Sequence, residues 1–270
     1  MKTMRAAAAG LTAAMLLGLT ACSGGTASNP STDPGKSADT TTYTIGVVQQ
    51  MQHEALDAAT QGFQDALTEK LGDQVTIKVE NASGDSNNCN TIVGSFLSNG
   101  VDLIMANGTT ALQSAASATE DVPILGTSIT EYGVALGIDN FDGVTGFNVS
   151  GTSDLAPLDE QAEMLHTFFP DATKVGLLSC SAEPNSAYQV QTVRGYLEDM
   201  GYTCTDYTFS DSNDLAAVAE SACANEEVLY IPTDNTAAQN AELIGNIALA
   251  AGTPIIAGEE GICKGCGVAT

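Results

Sequence analysis

The residues with chemistry to offer collect after short apolar runs. Gln49, Gln50 and His53 follow the run at 43–48. Asn81, Ser83 and Asp85 follow 75–79, Asn107, Thr109 and Thr110 follow 102–106, and Thr127, Ser128 and Thr130 follow 123–126. The second half repeats the arrangement, with Ser179, Ser181, Glu183, Asn185 and Ser186, then Thr233, Asp234 and Asn235, then Glu259 and Glu260. Singly, such residues are ordinary helix N-caps. Together they suit a small molecule held by hydrogen bonds. Helix N-termini and hydroxyls can hold an anionic end. Acids such as Glu183, Asp234 and Glu260 can hold an ammonium. No Lys or Arg falls in these stretches, so an amino acid zwitterion fits and a multiply charged phosphate does not.

Catalysis finds little support. His166 sits inside the helical stretch 155–168 and reads as structural. No motif ties His53 to a Ser or Cys, and GxSxG, HExxH and P-loop patterns are absent from the sequence. We therefore expect a non-enzyme with no catalytic residue, no cofactor and no metal. The chain has 7 cysteines. With Cys22 set aside, an even number remains in an exported chain, which suggests disulfides. Cys204 begins a strand and Cys223 ends the helix leading to the next one. Both belong at the amino-terminal edge of a sheet, so a Cys204–Cys223 pair is expected. Cys263 and Cys266 form a CxxC. A thioredoxin-like redox site would open a helix directly after a strand near the start of its fold, whereas this one follows a Gly-rich loop at the end of the chain. A zinc site would need a second pair.

The elements that position these residues alternate. Apolar runs at 43–48, 75–79, 102–106 and 123–126 read as strands, and helical patterns fill 55–71, 88–97 and 110–118. Residues 132–151 break the rhythm with five glycines. It then restarts, with helices at 155–168, 187–200, 215–223 and 237–250 and strands at 174–178, 202–209, 228–231 and 254–257. This βαβα order predicts parallel sheets covered by helices. In such sheets ligands bind beyond the carboxyl ends of the strands, where the polar residues above fall. The expected architecture is α/β, with a first lobe at 43–150 and a second at 151–270. The second lobe lacks a connection returning to the first, so a C-terminal truncation is expected.

The amino-terminal stretch is not part of the fold. Lys2 and Arg5 precede an uncharged apolar run at 6–21, shorter than the ~20 residues a spanning helix needs. It ends in Leu19-Thr20-Ala21-Cys22, which looks like a bacterial lipobox. Residues 1–21 therefore read as a signal peptide, Cys22 as the lipidation site and 22–42 as a Ser/Thr/Gly/Pro-rich tether. The expected location is the cell membrane, lipid-anchored on the extracytoplasmic side. A net charge of −25 with only 8 Lys and Arg argues against nucleic acid as a partner.

Several stretches together resemble a family. Gln49, His53 and Ala55-Leu56-Asp57, residues 148–155 (NVSGTSDL), residues 181–186 (SAEPNS), Pro232-Thr233-Asp234-Asn235 and Gly258-Glu259-Glu260-Gly261 are similar to ABC-transporter substrate-binding lipoproteins of the tryptophan/tyrosine type. Gln52 and Glu54 stand where that family has Glu and Pro, and Asn107-Gly108-Thr109 lacks its proline. The resemblance implies a type I periplasmic-binding-protein fold, two Rossmann-like lobes closing on an aromatic amino acid. On this reading Gln49, His53, Thr109 and Thr130 are first-lobe contacts. Ser153, Asp154, Ser181, Glu183, Asn185, Ser186, Thr233, Asp234 and Asn235 are second-lobe contacts, and Asp234 holds the ligand ammonium. The implied partner is an ABC permease, the membrane is met only through the lipid, and the protein is a monomer. The alternatives are a ligand-presenting sensor lipoprotein and an exported CxxC thiol oxidoreductase.

Overall fold

The computed structural model describes residues 41–270. The expected signal peptide, the Cys22 lipidation site and the tether up to residue 40 lie outside the described residues.

The apolar runs become two parallel sheets. The first contains β1 (Tyr43–Gln49), β2 (Val75–Asn81), β3 (Leu103–Asn107), β4 (Ile124–Ile129) and β5 (Val149–Ser153), in the order β2-β1-β3-β4-β5. The second contains β6 (Lys174–Cys180), β7 (Thr203–Phe209), β8 (Val228–Ile231) and β9 (Ile255–Ala257), in the order β7-β6-β8-β9. Every pairing within both sheets is parallel. Central strands are buried on both faces, as covered parallel strands must be. Val47 and Val48 in β1, Leu177 and Leu178 in β6, and all of β8 are buried.

Helices α1 (Glu54–Leu71), α2 (Ser86–Ser98), α3 (Thr109–Ala118) and α4 (Tyr132–Leu136) serve the first sheet. The core between that sheet and α2–α4 is built on Phe96, Ile104, Leu112 and Ile129. Gly46 in β1 makes room for the Phe96 ring, because a Cβ there would lie 2.5 Å from it. The second sheet has α5 (Leu158–Phe168) and α6 (Pro184–Asp199) on one face. On the other are α7 (Leu215–Asn225), α9 (Ala241–Ala251) and α10 (Glu260–Cys266), with the short α8 (Asn235–Gln239) leading into α9.

Four expectations need correction. The Gly-rich stretch 132–151 holds α4 and the start of β5. Glu131 caps α4 by accepting from Gly133 N and Val134 N, and Gly137 ends it at φ 66°. Strand β5 pairs with β4 and runs on through Ser153, so the junction between the sheets lies beyond 153 rather than at 150. Ser153 and Asp154 therefore end the first sheet instead of opening the second lobe. The single helix expected at 237–250 is two, because Asn240 leaves helical geometry and its Nδ2 donates to Thr236 O. Cys204 and Cys223 do not pair. Both are free thiols, Cys204 packed against the α5–α6 face and Cys223 in the core on the α7–α9 face, with the sheet between them. Strand β7 turns Cys204 away from the helix that follows it.

Among the described residues no helix is long and apolar enough to cross a membrane.

Candidate functional site

The loops after the strands of both sheets meet in one cleft. Three polar contacts among the described residues cross it. His53 Nε2 lies 3.0 Å from Asn235 Oδ1, Gln239 Nε2 donates to Gln52 O at 3.3 Å, and Lys264 Nζ pairs with Glu54 Oε1 at 3.1 Å. The lobes are thus closed on each other.

Two chambers remain inside the cleft. The first, about 140 Å³, lies beyond β4, β5, β8 and β9. His53, Ala55 and Leu56 line it from the start of α1, and Ser128, Thr130 and Asp154 from the ends of β4 and β5. Asn185, Thr233, Asp234, Asn235, Gly258 and Glu259 line it from the second lobe. Ser128 holds a left-handed φ of 56°, backbone strain of the kind that gathers at functional sites. The second chamber, about 110 Å³, lies beyond β1, β2, β6 and β7 and includes Gln50, Met51 and Glu183. A larger groove of about 820 Å³ between α9 and α10 belongs to the second lobe alone and lies outside the cleft.

The first chamber offers complementary ends for a zwitterion. Helix α1 is 18 residues long and its N-cap, His53, makes no side-chain capping bond. The N–H groups of its first turn are orphaned by helix geometry, and with the helix dipole they attract an anion. Asp154 faces the same space. Its side chain is exposed, yet the protein atoms around it strip away enough water to push its carboxyl above the usual range. The Glu259 charge adds to that, while the Thr130 hydroxyl and its own N–H work against it. A cation beside it would relieve this. Asn185 Oδ1 is buried without a hydrogen-bond partner and is available to an N–H of a ligand.

Asp234 is differently employed. Its Oδ2 accepts from Cys180 N at 2.7 Å and its Oδ1 from Ala237 N at 2.8 Å, capping α8. Burial, together with the Glu183 charge, pushes its carboxyl well above the usual range. Glu183 is fully engaged as well. It accepts from Asn235 N and Nδ2 and from Thr236 N and Oγ1, at 2.7–3.0 Å. With Nδ2 committed to Glu183, the Asn235 amide must turn Oδ1 toward His53.

Of the contacts expected from sequence, His53, Thr130, Asp154, Asn185, Thr233, Asp234 and Asn235 come together in the first chamber, and Glu183 borders the second. The rest line neither. Gln49 is spent on Met51 O, Asp57 and Thr60. Thr109 is buried at the start of α3. Ser153 Oγ donates to Thr130 O, Ser181 Oγ to Phe209 O, and Ser186 Oγ to Thr233 O at 3.5 Å. Ala55, Leu56, Ser128, Gly258 and Glu259 also line the first chamber and were not among the expected contacts. Ala55 is an unremarkable side chain, and the helix start alone marks it. Glu259 had a signal, an acid just after a strand, but of that pair only Glu260 was expected to hold an ammonium. Glu260 is exposed and pairs with Lys264 at 2.9 Å.

The CxxC closes the last turn of α10. Burial pushes the Cys266 thiol up to about 12 and raises Cys263 too. Thiols held protonated are poor nucleophiles, so the oxidoreductase reading is not favoured.

A profile of the family described as ABC transporter substrate binding protein matches residues 44–270. A tyrosine-binding protein of Clostridioides difficile is 35% identical over 246 residues, 90% of this chain and 71% of its own length. An ABC domain from Streptococcus pneumonia in complex with L-Trp superposes with a TM-score of 0.80 at 30% identity, covering 85% of this chain and 79% of that one. A substrate-binding protein with adhesive properties from Clostridium difficile, solved ligand-free and open, is 33% identical. It covers 83% of this chain and 77% of that one, and its TM-score is 0.58. Although its identity to the open form is slightly higher, the closed lobes here superpose better on the L-Trp complex.

Proposed function

We propose a ligand and a mode of capture from one premise: this chain belongs to the ABC transporter substrate-binding protein family. Its fold is the type I periplasmic-binding-protein fold, and its role is solute capture for an ABC importer. Such proteins work outside the cytoplasm.

The ligand is a zwitterionic amino acid of the aromatic class. The observation that carries this is the pairing, in one interlobe chamber, of an uncapped helix N-terminus with the Asp154 carboxylate. The carboxylate of the ligand sits on the first-turn N–H groups of α1, where Ala55 and Leu56 line the chamber. Its ammonium sits on Asp154, with Asn185 Oδ1 as a second acceptor. The ammonium role expected of Asp234 thus passes to Asp154, because Asp234 is occupied as a helix cap. The names of the tyrosine-binding and L-Trp-bound relatives support the aromatic class.

Capture is a shift of population. A ligand that touches Asp154 and α1 on one lobe and Asn185 on the other binds the closed form better than the open one, and stabilises it by that difference. The closed form is what the membrane permease receives. A signal peptide through residue 21 and a lipid on Cys22 would keep a monomeric domain beside that permease on a flexible tether. Nothing in this role requires chemistry on the ligand.

A thermal-shift screen of the purified protein against the twenty amino acids, nucleosides and sugars tests the reading. A rise in melting temperature confined to Tyr, Trp and Phe is expected, growing with ligand concentration. A rise with sugars or nucleosides alone would discard the amino acid.

A further inference from the structure

Every polar contact that crosses the cleft among the described residues starts from one tripeptide of the first lobe. Gln52 O accepts from Gln239 Nε2, His53 Nε2 faces Asn235 Oδ1, and Glu54 Oε1 takes Lys264 Nζ at 3.1 Å. Their partners lie on two short helices of the second lobe, Asn235 and Gln239 on α8 and Lys264 on α10. Only the third contact joins opposite charges. The ion pairs of Arg194 stay within the second lobe, so Glu54–Lys264 is the one ion pair between lobes among the described residues.

That charge matters because the lobes repel each other. Residues 43–153 carry 13 Asp and Glu against 2 Lys, and residues 154–270 carry 18 against 3 Lys and Arg. Closing brings like charges together, and Asp154, Asp234 and Glu259 share the first chamber. A cation at the seam offsets that repulsion over roughly one Debye length, about 10 Å at 0.1 M salt.

Both partners are placed by elements that line the first chamber. Glu54 opens α1, between His53 and Ala55. Lys264 stands on α10, whose N-cap, Glu259, lines the same chamber and accepts from Gly261 N and Ile262 N. Glu260, one turn before Lys264, pairs with it at 2.9 Å, so the ammonium is held between two carboxylates from opposite lobes. Hydrogen bonds from Glu260 and Glu54 hold that ammonium above the usual lysine range, so it stays charged at neutral pH. An exposed ion pair contributes little to a fold, and a network somewhat more. This one is broken whenever the cleft opens, so whatever it contributes goes wholly to the closed form.

We propose that Glu54 and Lys264 form an electrostatic latch that holds the two lobes together with or without a ligand and makes closure depend on salt. They are positioning residues for capture. The proposal rests on the capture reading above and is independent of which ligand is captured.

Small-angle X-ray scattering of the purified protein without added ligand tests it, at about 10 mM and about 500 mM salt, between which the screening length falls from about 30 Å to a few Å. At low salt the closed-to-open ratio should be about fivefold lower in Lys264→Glu, where two carboxylates face each other, than in the wild type. Adding Glu54→Lys to that variant should restore the ratio to within about twofold. At high salt all three proteins should agree within about twofold. Both side chains are more than half exposed, so the substitutions leave no cavity, and circular dichroism confirms that each variant folds. A Lys264→Glu protein as closed as the wild type at low salt would overturn the latch. So would a double variant that stays open, because a lost charge pair must be recovered by its reversal. L-Tyr added to each sample separates the two readings. Compaction by L-Tyr with no difference among the variants would keep capture and overturn the latch.

Discussion

The two lobes share one strand order and differ in what they leave unsatisfied. In the first lobe, β2-β1-β3-β4-β5 ends in groups with spare capacity: the uncapped start of α1, the Asp154 carboxylate and Gln50 Nε2. In the second, β7-β6-β8-β9 ends in groups already paired. Glu183 takes four bonds from the Asn235–Thr236 turn, and Asp234 caps α8 while accepting from Cys180 N. Asn185 Oδ1 is a buried exception. The first lobe is a receptor for a ligand, while the second is a preassembled wall that closes on it. A binding protein needs both kinds of surface. A wall that reorganised on closing would lose affinity to ordering entropy, and a receptor satisfied by itself would have no preference for the ligand.

The largest effect should come from breaking the wall. Glu183→Ala strands four buried donors and should destabilise the protein by roughly 3 kcal/mol or more, read as a fall in the denaturant midpoint. A loss below about 1 kcal/mol would mean the Asn235–Thr236 turn does not depend on it. Next comes the receptor. Asp154→Asn should weaken ligand binding about 10- to 150-fold, the worth of a charged hydrogen bond, with little change in melting temperature, because the carboxylate is exposed and Asn keeps its shape. The pH dependence sharpens this. The ammonium needs Asp154 ionised, and the free protein holds its proton to higher pH than an ordinary Asp. Wild-type affinity should therefore be full above that raised pKa and fall as pH drops through it, while Asp154→Asn flattens the profile. A flat wild-type profile would move the ammonium elsewhere. The smallest effect belongs to the contact joining the lobes. His53→Ala removes the bond to Asn235 and should cost about fivefold in affinity, mostly as faster release in stopped-flow kinetics.

Much of the fold was legible in the sequence. The runs at 43–48, 174–178 and 228–231 are apolar enough that only a strand covered on both faces can bury them. Strand β5 was less so, because Val149–Ser153 is all glycine and hydroxyl residues after its first and is ordered by pairing with β4. The site was legible as a class of residue more than as a set of roles. Asp154 and Asp234 are the same side chain after two strands, yet one is free and one is a cap, and no local pattern separates them. Gln49 and Gln50 are neighbours. Strand alternation sends Gln49 to Asp57 and Thr60 and Gln50 to Thr110, and the chamber reaches only the second.

The sequence by itself determined the parallel α/β architecture, the polar collection at the strand ends and the family, because period, burial and motif are properties of short stretches of chain. Tertiary structure decided which carboxylate is free, which amide faces the cleft and why Cys204 and Cys223 stay apart. Those depend on which groups from distant segments reach a shared space first, and hydrogen-bonding capacity already used on one partner is not available to another.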